Sequence, residues 1–132
     1  ETMEASEKIL KALKSAATYL ENSVSAFKKE DENSFADSIW HVAAELEYAL
    51  FLFSITIKNE SGMSKWKPNP EQKEIKTDQV LDAVQNLLSE SEKCMMNKKL
   101  LDAYKSVHNA RHYVLRVQED QAKRKREALK KK

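Results

Sequence analysis

A chain of 132 residues has room for one domain with a modest core. One glycine and two prolines, with 33% charged and 41% hydrophobic residues, exclude a turn-rich sheet protein and point to helices throughout. The net charge is only +2, and a lone cysteine, Cys94, excludes an intrachain disulfide.

The first helix is predicted from about Met3 to Lys28. Ile9, Leu10, Leu13, Ala16, Ala17, Leu20, Val24 and Phe27 recur at three and four, the stripe of a bundle helix. Thr2 suits its N-cap. The polar link Lys29 to Asn33 is short, so the next helix should return antiparallel beside it.

The second helix is predicted from Ser34 to Ile57, opened by Ser34 and Asp37 in an S-x-x-D capping pattern. At about 100° per residue, Phe35, Ile39, Val42, Leu46, Ala49, Leu50, Phe53 and Ile57 share one face. The opposite face is apolar too, with Trp40, Ala44, Tyr48, Phe51, Leu52 and Ile55. A helix apolar nearly all round must be covered nearly all round, and one small core covers one side. The second face is therefore expected to be an oligomer interface or a ligand-facing wall. Its longest apolar run, Tyr48 to Ile55, is far short of the ~20 residues that span a bilayer, no signal peptide is visible, and no membrane association is expected.

Lys58 to Lys76 is the one long connection. It holds Gly62, Pro68 and Pro70, with Trp66 between Lys65 and Lys67. It should cross the bundle, and Trp66 is either a clasp on the body or a ring for stacking on a base. The third helix is predicted from Asp78 to Met95 with Thr77 as N-cap, on a stripe of Val80, Val84, Leu87, Leu88, Ser91, Cys94 and Met95. Cys94 reads as a small buried hydrophobe, in keeping with a reducing, cytoplasmic setting. A turn near Asn97 leads into the fourth helix, whose inner face is Leu100, Leu101, Tyr104, Val107, Val114 and Leu115.

Residues 1–117 thus make a four-helix bundle of two antiparallel hairpins, all-α, joined by a long crossover. Residues 118–132 form a basic, solvated helical extension. Lys123, Arg124, Lys125, Arg126, Lys130, Lys131 and Lys132 stand there against three acidic residues, a local +4 that leaves the body at −2. The halves carry a faint internal repeat. Residues 35–50 laid over 100–115 pair Asp37 with Asp102, Val42 with Val107, Tyr48 with Tyr113 and Leu50 with Leu115. Upstream, Ile9, Leu10 and Leu13 meet Val80, Leu81 and Val84.

Three groups of residues bear on function. The second face of helix two supports a non-enzymatic homo-oligomer. The basic tail with Trp66 is a candidate nucleic-acid contact, although no recognised reading motif accompanies it. Arg111 sits on the apolar face of helix four and needs an anion, either Glu45 or Glu47 or a small ligand. His108 with His112, and His41 with Glu45, are spaced i, i+4, which two metal ligands could use. No Glu-x-x-His pair, phosphate loop or nucleophile elbow occurs, so no cofactor and no metal are expected.

Two helical hairpins are similar to the architecture of the HEPN nucleases. Their Arg-x(4–6)-His motif is missing here, since neither Arg111 nor Arg116 is followed by a histidine at that spacing, and no nuclease activity is implied. In general appearance the chain resembles small archaeal helical-bundle proteins that pack into larger bundles, which implies assembly and no particular activity.

Overall fold

Four helices make up the computed structural model, which describes residues 2–57 and 76–130 and side chains from Glu4 onward. They are α1 (Thr2–Lys28), α2 (Glu32–Ile57), α3 (Thr77–Met96) and α4 (Leu100–Lys130), with no strand among the described residues. The fold is an all-α four-helix bundle of two closely packed hairpins, α1 with α2 and α3 with α4. Further contacts join α2 to α4 and α1 to α3, while the diagonal pairs do not meet among the described residues.

Side-chain pairs give the directions. Tyr19 meets His41 and Phe27 meets Phe35, so α1 and α2 are antiparallel. Glu47 meets Arg111 and Phe53 meets Tyr104, so α2 and α4 are antiparallel as well. Every neighbour in the ring is then antiparallel, and the end of α2 and the start of α3 lie at opposite ends of the bundle. The expected crossover and Trp66 lie outside the described residues.

Ile9, Leu13, Leu20, Ile39, Leu46, Phe53, Leu88 and Val107 are at most 1% exposed and fill the centre. Cys94 packs half-buried against this core. Burial, helped by the Asp102 and Glu90 carboxylates, pushes its thiol pKa up, which lowers its thiolate fraction at pH 7. α2 is the one described helix long and apolar enough to cross a membrane, with a mean hydropathy of 1.2 over its most apolar 18 residues. That average exceeds what its longest apolar run suggests. Its inner face is nevertheless committed to the bundle, and a core helix passes the same measure.

The two hairpin turns are built alike. Lys29, Glu30 and Asp31 donate their N–H groups to Ser25, Phe27 and Ala26, and Asn97, Lys98 and Lys99 donate theirs to Lys93, Met95 and Cys94. Both are Schellman turns, and both place a non-glycine residue in the left-handed region, Glu30 at φ 58 and Lys98 at φ 60. These turns fix the internal repeat at a shift of 68 residues. The same shift carries α1's end onto α3's end and α2's start onto α4's start. It superposes buried positions throughout: Leu13 on Leu81, Leu20 on Leu88, Ser23 on Ser91, Ile39 on Val107, Leu46 on Val114 and Ala49 on Val117. The repeat read from sequence was therefore one helical turn out of register, by three residues in each half.

Two caps also differ from expectation. α2 starts before Ser34, because Asp31 is its N-cap. Asp31 accepts the Ser34 N–H at 3.1 Å and the Ser34 hydroxyl at 2.8 Å, and these bonds hold its carboxyl below the usual range. α3 is capped at Lys76 rather than Thr77, and the Lys76 N–H donates to Gln79 Oε1 at 3.3 Å.

The repeat exposes an omission. Lys99 is the counterpart of Asp31, its carbonyl accepts the Ala103 N–H as Asp31's accepts that of Phe35, and its side chain cannot cap. Lys99→Asp is expected to raise stability in urea by about 1 kcal/mol. No gain at pH 7 would show that α4's first turn is satisfied some other way.

Candidate interaction surface

The outer face of α2 is exposed along most of its length. Trp40 and Phe51 are 60% exposed, Tyr48 and Ile55 are 46% exposed, and Ala44 lies open between them. Their spacing is 4, 4, 3 and 4, which keeps all five on one side of a helix. Leu52 is a correction to the expected stripe. It is 5% exposed and belongs to the core. The reason is geometric: Leu52 lies 11 residues, three turns, from His41 and so shares its flank. That flank faces α1, where the His41 ring stacks on Tyr19 at 4.4 Å.

This stack also steadies the exposed face. Trp40 sets its indole edge-on to His41 at 5.2 Å, and Asp37 Oδ2 lies 4.0 Å from His41 Nε2. Trp40 thus rests on a ladder reaching back to α1. An aromatic held this way loses little freedom when something covers it.

The repeat shows that the fold does not need this face to be apolar. The counterparts of Trp40, Ala44, Tyr48, Phe51 and Ile55 on α4 are His108, His112, Arg116, Glu119 and Lys123. The same positions in an equivalent helix are polar or charged, so the apolar stripe is particular to α2.

The other candidate residues separate into small groups. Glu47, rather than Glu45, accepts from the Arg111 guanidinium across the α2–α4 seam. Two residues apart on a helix, the two glutamates point about 200° apart. His108 and His112 rings are 6.1 Å apart beside this pair, and Tyr104 meets His108 edge-on at 5.5 Å. Burial, then the nearby Arg111 cation, lowers the His108 pKa and keeps its imidazole neutral at pH 7. His41, on the α1 flank, does not join them. No group of three or more His, Cys, Asp or Glu suited to a metal occurs among the described residues.

Arg111 is 31% and Glu47 54% exposed, so the pair is screened and weak. A double-mutant cycle with Arg111→Met and Glu47→Gln is expected to give a coupling below about 1 kcal/mol, falling further in 1 M salt. A coupling of several kcal/mol would mark a dry, functional ion pair instead. Glu47 Oε1 accepts from Nε of the guanidinium and supplies the carboxylate that Arg111 was expected to need.

An open cleft between α1 and α3, not foreseen from sequence, is lined by Ala17, Leu20, Glu21, Gln85, Asn86, Leu88, Ser89 and Glu92. Its described lining includes no aromatic ring and no cation to hold a ligand. The basic extension is plainly placed: residues 122–130 are helical and exposed, including Lys123, Arg124, Lys125, Arg126 and Lys130. Lys131, Lys132 and Trp66 lie outside the described residues. No protein family, curated protein or solved structure matches this chain.

Proposed function

We propose that the protein is a non-enzymatic structural or interaction protein that works in the cytoplasm as a homo-oligomer, assembled through the outer face of α2. One observation carries this reading. Trp40, Tyr48, Phe51 and Ile55 stand exposed on α2, while the equivalent positions of α4 are polar.

The stripe supplies the apolar centre of an interface, which the polar side chains around it must complete to reach the ~1,200 Å² of a specific contact. Large side chains of ~150–250 Å² each, exposed to the extents given, offer roughly 400 Å² of apolar surface per chain. Burying that on two chains is worth on the order of 20 kcal/mol at ~25 cal/mol per Å². Association costs ~4–15 kcal/mol, so most of the stripe must be covered for a stable assembly. Light scattering on a sizing column tests the reading. A multimer of the 15.2 kDa chain that persists at high salt is expected, and a monomer at all concentrations would overturn it.

A second reading rests on the extension of α4. An exposed helix carrying Lys123, Arg124, Lys125, Arg126 and Lys130 presents cations to a phosphate backbone without cost to the core. Association with nucleic acid would then weaken as salt rises and vanish when residues 118–132 are removed. Binding that survives the deletion would eliminate the tail as its source.

A further inference from the structure

The stripe on α2 reads almost the same in both directions. Trp40 and Ile55 lie equally far from a point between Glu47 and Tyr48, and so do Ala44 and Phe51. A two-fold interface brings one patch against itself, so the patch must complement its own reversed copy. Building on the homo-oligomer reading, we infer that a second copy of this chain occupies the stripe as a closed dimer. In it, α2 lies antiparallel to α2 of the partner, with Tyr48 at the two-fold axis.

In that register a large side chain meets a small or slender one at four of the five levels, and only Tyr48, at the axis, meets its own copy. Phe51 projects over the partner's Ala44, the only small residue in the stripe, and Trp40 over the partner's Ile55. Large-against-small pairing lets two helices approach and interdigitate. The parallel alternative sets each residue against its own copy. It crowds Trp40 and Phe51, leaves a gap at Ala44, faces Asp37 with Asp37 and aligns the two helix dipoles. Antiparallel pairing opposes the dipoles and sends the two Asp37 side chains to opposite ends.

Charge at the axis fits the same arrangement. Glu47 is next to the two-fold point and would approach its own copy, but Arg111 of the same chain neutralises it. The equivalent face of α4 is polar, and a patch that pairs with its own copy about a two-fold axis is used up in the pair, so the assembly closes at two copies rather than growing. The expected mass is twice 15.2 kDa.

Disulfide trapping on the full-length chain tests the register. Cys94 is first changed to Ala, the residue its repeat counterpart, position 26, already carries. Trp40→Cys and Ile55→Cys are made separately in this background, checked for helicity, then oxidised alone and mixed. Only the mixture should give abundant covalent dimer, because like residues stand about 22 Å apart along an antiparallel pair, beyond the ~7 Å reach of a disulfide. A second mixture, Ala44→Cys with Phe51→Cys, should also cross-link, and in it the Ala44→Cys chains keep their large side chains.

Strong cross-linking of either variant with itself would overturn the antiparallel register while leaving homo-oligomerisation standing. A dimer by light scattering that no mixture traps would overturn the α2–α2 contact. A monomeric wild-type chain would overturn this inference together with the reading it rests on.

Discussion

Phe51→Glu is expected to convert the protein to a monomer of unchanged helicity. Phe51 is 60% exposed and stands on the face of α2 turned away from the core. Losing its contact on both chains removes about 200 Å² of buried apolar area, worth roughly 5 kcal/mol at ~25 cal/mol per Å². The two carboxylates introduced beside the partner's apolar side chains add to that. At 1.4 kcal/mol per tenfold, dimerisation should weaken at least ~1,000-fold. Glutamate is a good helix former, so α2 itself should be indifferent. The reading has a thermal signature too. If folding and association are linked, the wild-type midpoint rises with protein concentration and that of the variant does not. A variant with wild-type mass would show that this face is not the interface.

How far the sequence could be read depended on what each residue answers to. The apolar outer face of α2 was legible because it breaks the expected polarity at Trp40, Tyr48, Phe51 and Ile55 together, and helical geometry alone then sends those side chains outward. Leu52 was not legible. It sits on the flank of the helix, and whether a flank is covered depends on the neighbour, here α1, whose side a helical wheel does not reveal. Arg111's need for a carboxylate followed from its place on an apolar stripe. Which glutamate answers it depended on the side from which α4 packs.

The repeat register failed for another reason. Amphipathic helices resemble one another after a slip of three or four residues, so a few shared identities such as Asp37 with Asp102 can favour a register one turn out. The structure aligns Asp102 with Ser34 instead, because the left-handed residues Glu30 and Lys98 must coincide. Nothing in Lys-Lys-Glu or Asn-Lys-Lys announces a Schellman turn, which usually carries glycine at that point. Asp31 is hidden as a cap for the same reason: without a recognisable turn before it, Ser34 looks equally suited to open α2.

Phe53→Ala, two residues from Phe51, should act on the opposite property. Phe53 is fully buried and meets Tyr104 edge-on at 5.9 Å, which ties α2 to α4. Removing a buried ring costs about 3–5 kcal/mol through lost transfer energy and the cavity left behind. The aromatic pair contributes part of that. For a domain whose total stability is of order 5–15 kcal/mol, the urea midpoint should fall sharply and the thermal midpoint by roughly 10–20 °C. The repeat suggests the loss is not shared elsewhere, since the counterpart of Phe53 is Gln121, only partly buried on α4. Folded Phe53→Ala should nevertheless still dimerise in the cold, because the outer face of α2 is intact. Phe51 and Phe53 therefore separate the two roles of one helix. If Phe53→Ala instead abolished assembly without altering the monomer's stability, the assignment of inner and outer faces on α2 would be inverted.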